Sequence, residues 1–321
     1  MTEAPGALRE AVLREALSGL TATRKTLPPW LFYDERGSQL FEQITTLPEY
    51  YLTRTERDIF AANADEIFLG IDSPVTIAEL GAGTAAKTGI LLRAATRFQP
   101  EVLYQPIDVS SSALDEACAA ITAHIAGVVV ESRVANYVTE TFTLHRPEDH
   151  RILALYIGSS IGNFSPKEAT AILRNLRDHL EPGDSLLLGA DLAPGPHKPV
   201  ATLLAAYDDA AGVTAVFNKN ILARLNRELD ANFDLDNFAH RVRWNAAESR
   251  IEMHLESVAP QTVPIAGERI NFAAGETIHT ENSYKFTDAA LAGLFASANF
   301  SPVHTWHDAA RSFAVTLAEA V

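Results

Sequence analysis

The stretch VTIAELGAGTAAKT, Val75–Thr88, decides the fold expected of this chain. Its first part, Val75–Leu80, is a short apolar run of the kind that forms a buried strand. The run stops at Gly81–Thr84, where two glycines allow a sharp turn, and a helix-like segment follows. A glycine turn between a buried strand and a helix is where α/β proteins hold nucleotide-like cofactors.

The spacing of these glycines narrows the choice of cofactor. Dinucleotide-binding turns follow the pattern G-x-G-x-x-G, and residue 86, where the third glycine of that pattern would stand, is an alanine. That difference disfavours a NAD-dependent dehydrogenase. The shorter turn fits the S-adenosylmethionine (SAM) methyltransferases, because their cofactor has no pyrophosphate to cradle.

Strands and helices alternate after this turn. The strand candidates are continuous apolar runs, such as LALYIG and SLLLGA, which are typical of a parallel sheet covered on both faces. The rhythm therefore predicts an α/β fold with a Rossmann-like, doubly wound sheet. The predicted strands are 75–80, 102–107, 127–134, 151–157 and 184–190, and the predicted helices between them are 86–97, 112–124 and 166–179.

The rhythm stops at Leu192–Pro199, where three prolines and a glycine mark a change of element or domain. A long helix is expected at about 200–229, and period-two segments at 239–258 and 262–272 indicate antiparallel strands. The remaining elements are helices at 8–20, 36–46, 53–69 and 287–298, and a closing antiparallel hairpin at 301–306 and 311–318.

This organisation predicts two discontinuous domains. Residues 55–196 and 286–321 are expected to form a SAM-dependent methyltransferase domain. Residues 8–54 and 197–285 are expected to form an α+β substrate-binding domain, most of it inserted before the last helix.

Composition excludes several classes of function. The net charge of −15 disfavours a nucleic-acid partner. The single cysteine, Cys118, excludes an internal disulfide and a multi-thiolate metal site, and the histidines lack metal-ligand spacing. The chain has no apolar run near the roughly 18 residues of a membrane span and no signal-peptide pattern. We expect a cytoplasmic, monomeric protein without a metal or a membrane partner.

Polar residues follow the predicted strands at the edge where a cofactor would lie. Asp108 ends the second strand and can accept hydrogen bonds from both ribose hydroxyls; the alternative is an N-cap for the next helix. Asn136 and Tyr137 follow the third strand, where an adenine could pair and stack, and an ordinary loop pair is the alternative. The loop Gly158–Phe164 follows the fourth strand, at the expected reacting centre, although it also has the composition of a plain turn.

Segments spread along the chain share one resemblance. They are FYDERGSQLFEQIT, LPEYYLTRTE, ELGAGTAAKT, IGSSIGNF, AYDDAAGVTAVFNKNIL, RIEMHL and FAAGETIHTENSYKF. In this order they resemble the histidine-specific SAM-dependent methyltransferases, the L-histidine Nα-methyltransferases of ergothioneine biosynthesis. The resemblance runs from Leu27 to the C-terminus.

The resemblance implies a histidine pocket. Asn163 and Tyr207 would hold the α-carboxylate, with Gly158 beside the α-amine. Glu281 and Ser283 would recognise the imidazole ring. The other implied substrate contacts are Tyr50 at the second ring nitrogen, Tyr33 and Phe217 in the pocket wall, and Met253 near the ring.

The resemblance also implies a set of SAM contacts, namely Gly81, Gly83, Lys87, Asp108, Asn136 and Tyr137. Asn136 departs from the family pattern, in which an acidic residue precedes the aromatic one. An amide can still pair with an adenine edge.

The implied reaction is trimethylation of the α-amine of L-histidine to hercynine, the first step of ergothioneine biosynthesis. An α-amine with a pKa near roughly 8 is partly neutral at cellular pH, so we assign no general base. Two alternatives remain: N-methylation of a related aromatic amino acid such as tryptophan, and a non-catalytic sensor of SAM or of an amino acid. The carboxylate of Glu281 disfavours the less polar indole.

Overall fold

The computed structural model describes residues 5–71, 73–83, 85, 87–138 and 142–321. The chain divides into two compact units, each built from two segments. The first unit, called the mixed unit below, comprises Met1–Tyr51 and Pro199–Ser283. The second, called the sheet unit, comprises Leu52–Lys198 and Tyr284–Val321.

The elements are numbered in chain order. The helices are α1 Pro5–Leu20, α2 Glu35–Thr45, α3 Tyr51–Leu69, α4 Thr88–Phe98, α5 Ser111–His124, α6 Pro166–Arg177, α7 Val200–Tyr207, α8 Val213–Leu229 and α9 Asp288–Ser297. The strands are β1 Lys25–Thr26, β2 Val75–Leu80, β3 Val102–Asp108, β4 Val128–Val130, β5 Arg133–Val134, β6 Arg151–Tyr156, β7 Ser185–Asp191, β8 Phe238–Asn245, β9 Arg250–Ser257, β10 Gln261–Ile265, β11 Glu268–Phe272, β12 Thr277–Tyr284, β13 Phe300–His307 and β14 Phe313–Ala320.

The sheet unit contains the predicted doubly wound sheet. Its strand order is β13-β14-β7-β6-β2-β3-β4, and β5 also pairs with β3. Four neighbouring pairs of this sheet are parallel, namely β7–β6, β6–β2, β2–β3 and β3–β4. β14 pairs antiparallel with both β7 and β13, which confirms the predicted closing hairpin.

Burial on both faces explains why these strands are apolar throughout. Every residue of β2 and of β7 is buried, as parallel strands between helical layers require. On one face the core contains Ile152, Leu188 and Phe295. α6 starts at a capping box, in which Ser165 and Glu168 satisfy each other's backbone N–H groups, so its start is fixed by sequence.

The two segments of the sheet unit meet where the chain leaves for the mixed unit and returns. The Ala193 N–H donates to the Phe286 carbonyl at 2.7 Å, and the Phe286 N–H donates to the Asp191 carbonyl at 3.0 Å. Residues 192 and 286 form a parallel bridge. The ends of the intervening stretch are therefore fastened together by backbone hydrogen bonds.

The mixed unit has a four-stranded sheet in the order β1-β12-β9-β8 and a separate β10–β11 hairpin. β8 and β9 pair antiparallel, as do β10 and β11, so the period-two pattern predicted these strands correctly. β12, which contains Glu281, lies between β9 and the two-residue β1 and is therefore an internal strand. So short a strand as β1 leaves no periodic signal in the sequence.

Two predicted elements are divided in the structure. The strand expected at 127–134 is present as β4 and β5. The helix expected at 200–229 is two helices, α7 and α8. The break occurs because the Asp209 carboxylate accepts the N–H groups of Val213 and Thr214, at 2.9 and 2.7 Å, and so caps a new helix.

Candidate active site

The glycine turn follows β2 in the sheet unit. Gly81 and Gly83 have φ values of +71° and +51°, in the left-handed region that favours glycine. A Cβ on Gly81 would lie 3.1 Å from the Tyr137 hydroxyl, whereas a Cβ on Gly83 would meet no described atom within 4 Å. Thr84, the last residue of the predicted turn, lies outside the described residues.

Asp108 at the end of β3 holds this turn in place. Its carboxylate accepts the Gly83 N–H and the Ser110 N–H, each at 2.9 Å. Burial raises the pKa of Asp108, and these hydrogen bonds oppose the rise. A carboxylate has about four acceptor positions, so these N–H groups leave accepting capacity for a hydroxyl donor of a ligand. The alternative N-cap assignment is wrong, because Ser110 caps α5 by accepting the Ala113 N–H.

Asn136 and Tyr137 occupy the end of the third predicted strand. The Asn136 side-chain oxygen accepts the Val138 N–H at 3.1 Å, so part of this amide serves the local turn. The Tyr137 ring meets the Tyr156 ring edge-on, with centroids 5.7 Å apart. Burial raises the pKa of Tyr137 to about 12, which keeps its hydroxyl protonated at neutral pH.

Lys87 precedes α4 and forms an ion pair with Glu56 of α3. The Glu56 carboxylate also accepts the Gly158 N–H, at 2.8 and 3.0 Å from its two oxygens. Sequence reasoning missed Glu56, although the segment LPEYYLTRTE contains it. No periodicity or spacing signals a partnership between residues 56, 87 and 158, which lie in α3, in the turn before α4 and in the loop after β6.

Glu79 is a second buried carboxylate that sequence reasoning missed. It lies in β2, and it accepts the Thr88 hydroxyl at 2.7 and 2.8 Å and the Tyr104 hydroxyl. Burial raises the pKa of Glu79 to about 7, and the two hydroxyl hydrogen bonds offset only part of that rise. Glu79 therefore ties β2, β3 and the start of α4 together beneath the glycine turn.

The loop after β6 contains Gly158 and Asn163. A 3-10 turn spans Ser160–Asn163, and Asn163 is half-buried. The Ser159 hydroxyl oxygen accepts the Asp191 N–H at 2.9 Å, which fastens this loop to the end of β7. The loop is thus held to the sheet at Ser159 and to α3 at Gly158.

Several predicted substrate residues of the mixed unit meet in one aromatic cluster. The Tyr33 and Phe217 ring centroids lie 5.8 Å apart, and the Tyr50 and Tyr207 centroids 6.2 Å apart, both edge-on. Phe41 joins the two pairs, 6.1 Å from Phe217 and 6.2 Å from Tyr50. These rings are buried or half-buried and form a largely apolar wall.

Polar groups adjoin this wall. The Tyr207 hydroxyl lies 2.7 Å from the Ser283 hydroxyl, and both residues are buried. Glu281 precedes Ser283 by two residues on β12 and is half-buried. The Met253 carbonyl on β9 accepts the Thr280 hydroxyl at 3.1 Å, which joins β9 to β12.

A histidine pair also lies in the mixed unit. The His254 and His279 rings stack with centroids 4.6 Å apart, and His254 Nε2 lies 3.2 Å from a Glu252 oxygen. The side-chain atoms of these three residues that could bind a metal ion lie within 4.8 Å of one another. Sequence spacing does not reveal this group, because its members lie on two strands. The Arg250 guanidinium, 2.7 Å from Glu252, already neutralises that carboxylate.

The two units hold different parts of the predicted set. The proposed SAM contacts Gly81, Gly83, Lys87, Asp108, Asn136 and Tyr137 all belong to the sheet unit. Gly158 and Asn163 belong to it as well. The remaining predicted substrate residues belong to the mixed unit. Among the described helices, none has the length and apolar character needed to cross a membrane.

The similarity of this chain to known proteins identifies its family. The chain is 43% identical over 311 residues to a histidine N-alpha-methyltransferase of Mycolicibacterium smegmatis, covering 96% of this chain and 95% of that protein. It is 42% identical to the protein of the same name in Mycobacterium tuberculosis, over 96% and 94% of the two chains. It is also 31% identical to ergothioneine biosynthesis protein 1 of Schizosaccharomyces pombe, covering 87% of this chain and 37% of that one.

The sequence model of one family matches nearly the whole chain, residues 12–320. That family is described as histidine-specific methyltransferase, SAM-dependent. With the doubly wound sheet, the glycine turn and the acidic residue at the end of β3, the match places this chain in the histidine-specific, SAM-dependent methyltransferase family.

Proposed function

We propose that this protein transfers three methyl groups from SAM to the α-amine of L-histidine and so forms hercynine, the first step of ergothioneine biosynthesis. The observation that carries the proposal is the pairing of the Tyr207 and Ser283 hydroxyls at 2.7 Å, beside an aromatic wall and two residues from Glu281. A histidine needs both an aromatic surface for its ring and polar partners for its nitrogens and carboxylate.

The sheet unit supports the cofactor part of the proposal. A Cβ at Gly83 would meet no described atom, and the remaining accepting capacity of Asp108 fits a ribose hydroxyl of a nucleoside. Tyr137 offers a ring for an adenine, and Lys87 would lie on the same side of the sheet unit at the start of α4. When bound, SAM supplies an electrophilic methyl group carried on a sulfonium. We propose the sheet unit as the SAM-binding domain.

The mixed unit supports the substrate part, and we propose it as the main histidine-binding domain. Glu281 would accept an imidazole N–H, and Ser283 and Tyr50 would serve the ring nitrogens. A site built to bond polar groups rejects an analogue that lacks them by about 10⁴-fold or more. Tyr33, Phe217 and Met253 would shape the pocket, and Tyr207 would donate to the α-carboxylate. Gly158 and Asn163 remain proposed substrate contacts.

The proposal requires little acid–base chemistry from the chain. An α-amine with a pKa near roughly 8 is neutral in part of the population at cellular pH, and that form is the nucleophile. What the residues must supply is alignment, which can lower a barrier by about 7–11 kcal/mol. We also propose that the protein is cytoplasmic and monomeric; its single cysteine agrees with a reducing compartment.

The test is incubation of the purified protein with SAM and L-histidine, followed by mass spectrometry. We expect one product heavier by three methyl groups, and much slower turnover of tryptophan. A Glu281→Gln variant keeps the shape of the side chain and removes its charge. It should lower kcat/KM for histidine by about 100-fold and leave SAM affinity unchanged. Faster methylation of tryptophan would contradict the substrate assignment, and binding of SAM and histidine without turnover would favour a sensor.

A further inference from the structure

We infer that Glu56 is a positioning residue of the methyl-donor site. Its carboxylate holds two separate parts of that site at once, the Lys87 ammonium and the Gly158 backbone N–H. Lys87 precedes the helix that follows the glycine turn, and Gly158 begins the loop after β6. The inference rests on the proposed function and adds a residue that touches neither reactant in that proposal.

The contacts of Glu56 use both carboxylate oxygens. One oxygen lies 2.8 Å from the Gly158 nitrogen and the other 3.0 Å, and the second oxygen also pairs with Lys87. A bridging carboxylate of this kind fixes the separation of its two partners. A shift of the Gly158 loop would therefore require a shift of the Lys87 ammonium, or the loss of one hydrogen bond.

Burial makes this arrangement costly to disturb. The Glu56 side chain is fully buried, whereas the Lys87 side chain retains 20% of its exposure. A buried carboxylate is tolerated only when it is paired and hydrogen-bonded. Because Lys87 is its cationic partner, removal of the Glu56 charge would leave the ammonium group free to reorient toward solvent.

A second feature shows that the sheet is shaped around this carboxylate. A Cβ placed on Gly189 of β7 would lie only 1.9 Å from a Glu56 oxygen. Any side chain at residue 189 would therefore displace the carboxylate. Glu56 thus lies at the meeting point of α3, β7, the Gly158 loop and the start of α4.

The variant Glu56→Gln separates the two contacts. A glutamine oxygen can still accept the Gly158 N–H, but the amide does not pair with the Lys87 ammonium as a counter-ion. We expect the Kd for SAM to rise about tenfold, the loss that corresponds to one charge-assisted hydrogen bond. We also expect kcat for histidine methylation to fall, with the KM for histidine within about twofold of the original value.

A double-mutant cycle tests whether Glu56 acts through Lys87. SAM affinity is measured by isothermal titration calorimetry for the original protein, Glu56→Gln, Lys87→Gln and the double variant. If Glu56 acts through Lys87, the SAM affinity of the double variant should be no lower than that of the single variant with the lower affinity. Glu66→Gln is the matched control, since Glu66 lies on the same helix and accepts the Trp306 indole N–H at 3.0 Å. Its SAM affinity and turnover should match those of the original protein.

Each outcome decides the inference. SAM affinity and kcat of Glu56→Gln within twofold of the original values would overturn it, as would fully additive effects in the cycle. If Glu56→Gln does not fold by circular dichroism, Glu56→Asp, which keeps the charge and shortens the side chain, takes its place in the cycle. The original protein could fail to methylate histidine while Glu56→Gln still lowers SAM affinity. That result would support the role of Glu56 and contradict the proposed substrate.

Discussion

The Tyr207 hydroxyl lies 2.7 Å from the Ser283 hydroxyl, although the two residues are 76 positions apart and come from α7 and β12. This hydrogen bond holds the end of a short helix against a strand. Because the Tyr207 ring belongs to the aromatic cluster, both hydroxyl groups lie beside that cluster. The pair is therefore the most direct test of the substrate assignment.

Replacement of Tyr207 by phenylalanine removes one hydroxyl and keeps the ring in the cluster. We expect kcat/KM for histidine to fall by about 10- to 100-fold, because the variant loses the buried partner of Ser283 and the proposed donor to the substrate α-carboxylate. SAM affinity should stay within twofold. Steady-state kinetics on Tyr207→Phe, Ser283→Ala and the double variant check this expectation. Strictly additive losses would show that the two hydroxyls act independently.

Asp108 is the acceptor on which the glycine turn and the proposed ribose contacts depend. The variant Asp108→Asn retains one oxygen acceptor and replaces the other by a donor, which faces the Gly83 or the Ser110 N–H. We expect the Kd for SAM to rise by about 10- to 100-fold, measured by calorimetry. Asp115→Asn on the exposed side of α5 is the control and should bind SAM normally. Unchanged affinity of Asp108→Asn would remove Asp108 from the site.

The lowered pKa of His254 predicts that the folded protein loses stability at acidic pH. Burial, followed by the neighbouring His279, lowers the pKa of His254 from 6.5 to about 4. Between these values the unfolded chain binds a proton that the folded chain excludes, so stability is complete above pH 6.5 and falls as the pH drops toward 4.

The variant His254→Gln should remove this component. Its free energy of unfolding, measured by urea denaturation from pH 4 to 7, should depend less steeply on pH, by at most about 1.4 kcal/mol per pH unit. His304→Gln, at an exposed position of β13, should keep the original dependence. Parallel curves for His254→Gln and the original protein would contradict the prediction.

The raised pKa of Glu79 predicts the opposite dependence of stability on pH. Because burial raises its pKa from 4.5 to about 7, the folded chain keeps a proton that the unfolded chain has lost between these values. This component is therefore fully present below pH 4.5 and is lost as the pH rises through 7.

We expect the stability of Glu79→Gln relative to the original protein to increase between pH 5 and 7. The increase should be at most about 1.4 kcal/mol per pH unit, because glutamine has no proton to lose. The same urea series checks it, with the exposed Glu101→Gln as the control. A constant difference in stability across this range would show that Glu79 is ionised in the folded protein at pH 5.

The sequence predicts the sheet better than it predicts the contacts around it. Continuous apolar runs identified β2, β3, β6 and β7 because burial on both faces leaves little room for polar residues. The position of Asp108 at the end of β3 follows from the same pattern, because the carboxyl ends of parallel strands lie at one edge of a sheet. The break between α7 and α8 was missed, since an alanine-rich segment reads as helix and the cap by Asp209 depends on side-chain geometry.

The buried carboxylates show where sequence reasoning stops. Glu56 looks like any acidic residue of a charged helix, and only the folded chain brings it to residues 87 and 158. The Glu252–His254–His279 group likewise arises from the pairing of strands distant in sequence. Partnerships of this kind depend on tertiary structure, so no local period or spacing encodes them.

The backbone hydrogen bonds among Asp191, Ala193 and Phe286 have a consequence for how this fold can change. They close the sheet unit at the points where the chain departs and returns, so the pairing of β7 with β14 does not depend on the length of what lies between them. Residues 199–283 therefore lie between two points of the sheet unit that its own backbone hydrogen bonds hold together. In the proposed function this stretch contains most of the histidine contacts, so changes in its length or sequence would leave the paired ends of the sheet unit in place.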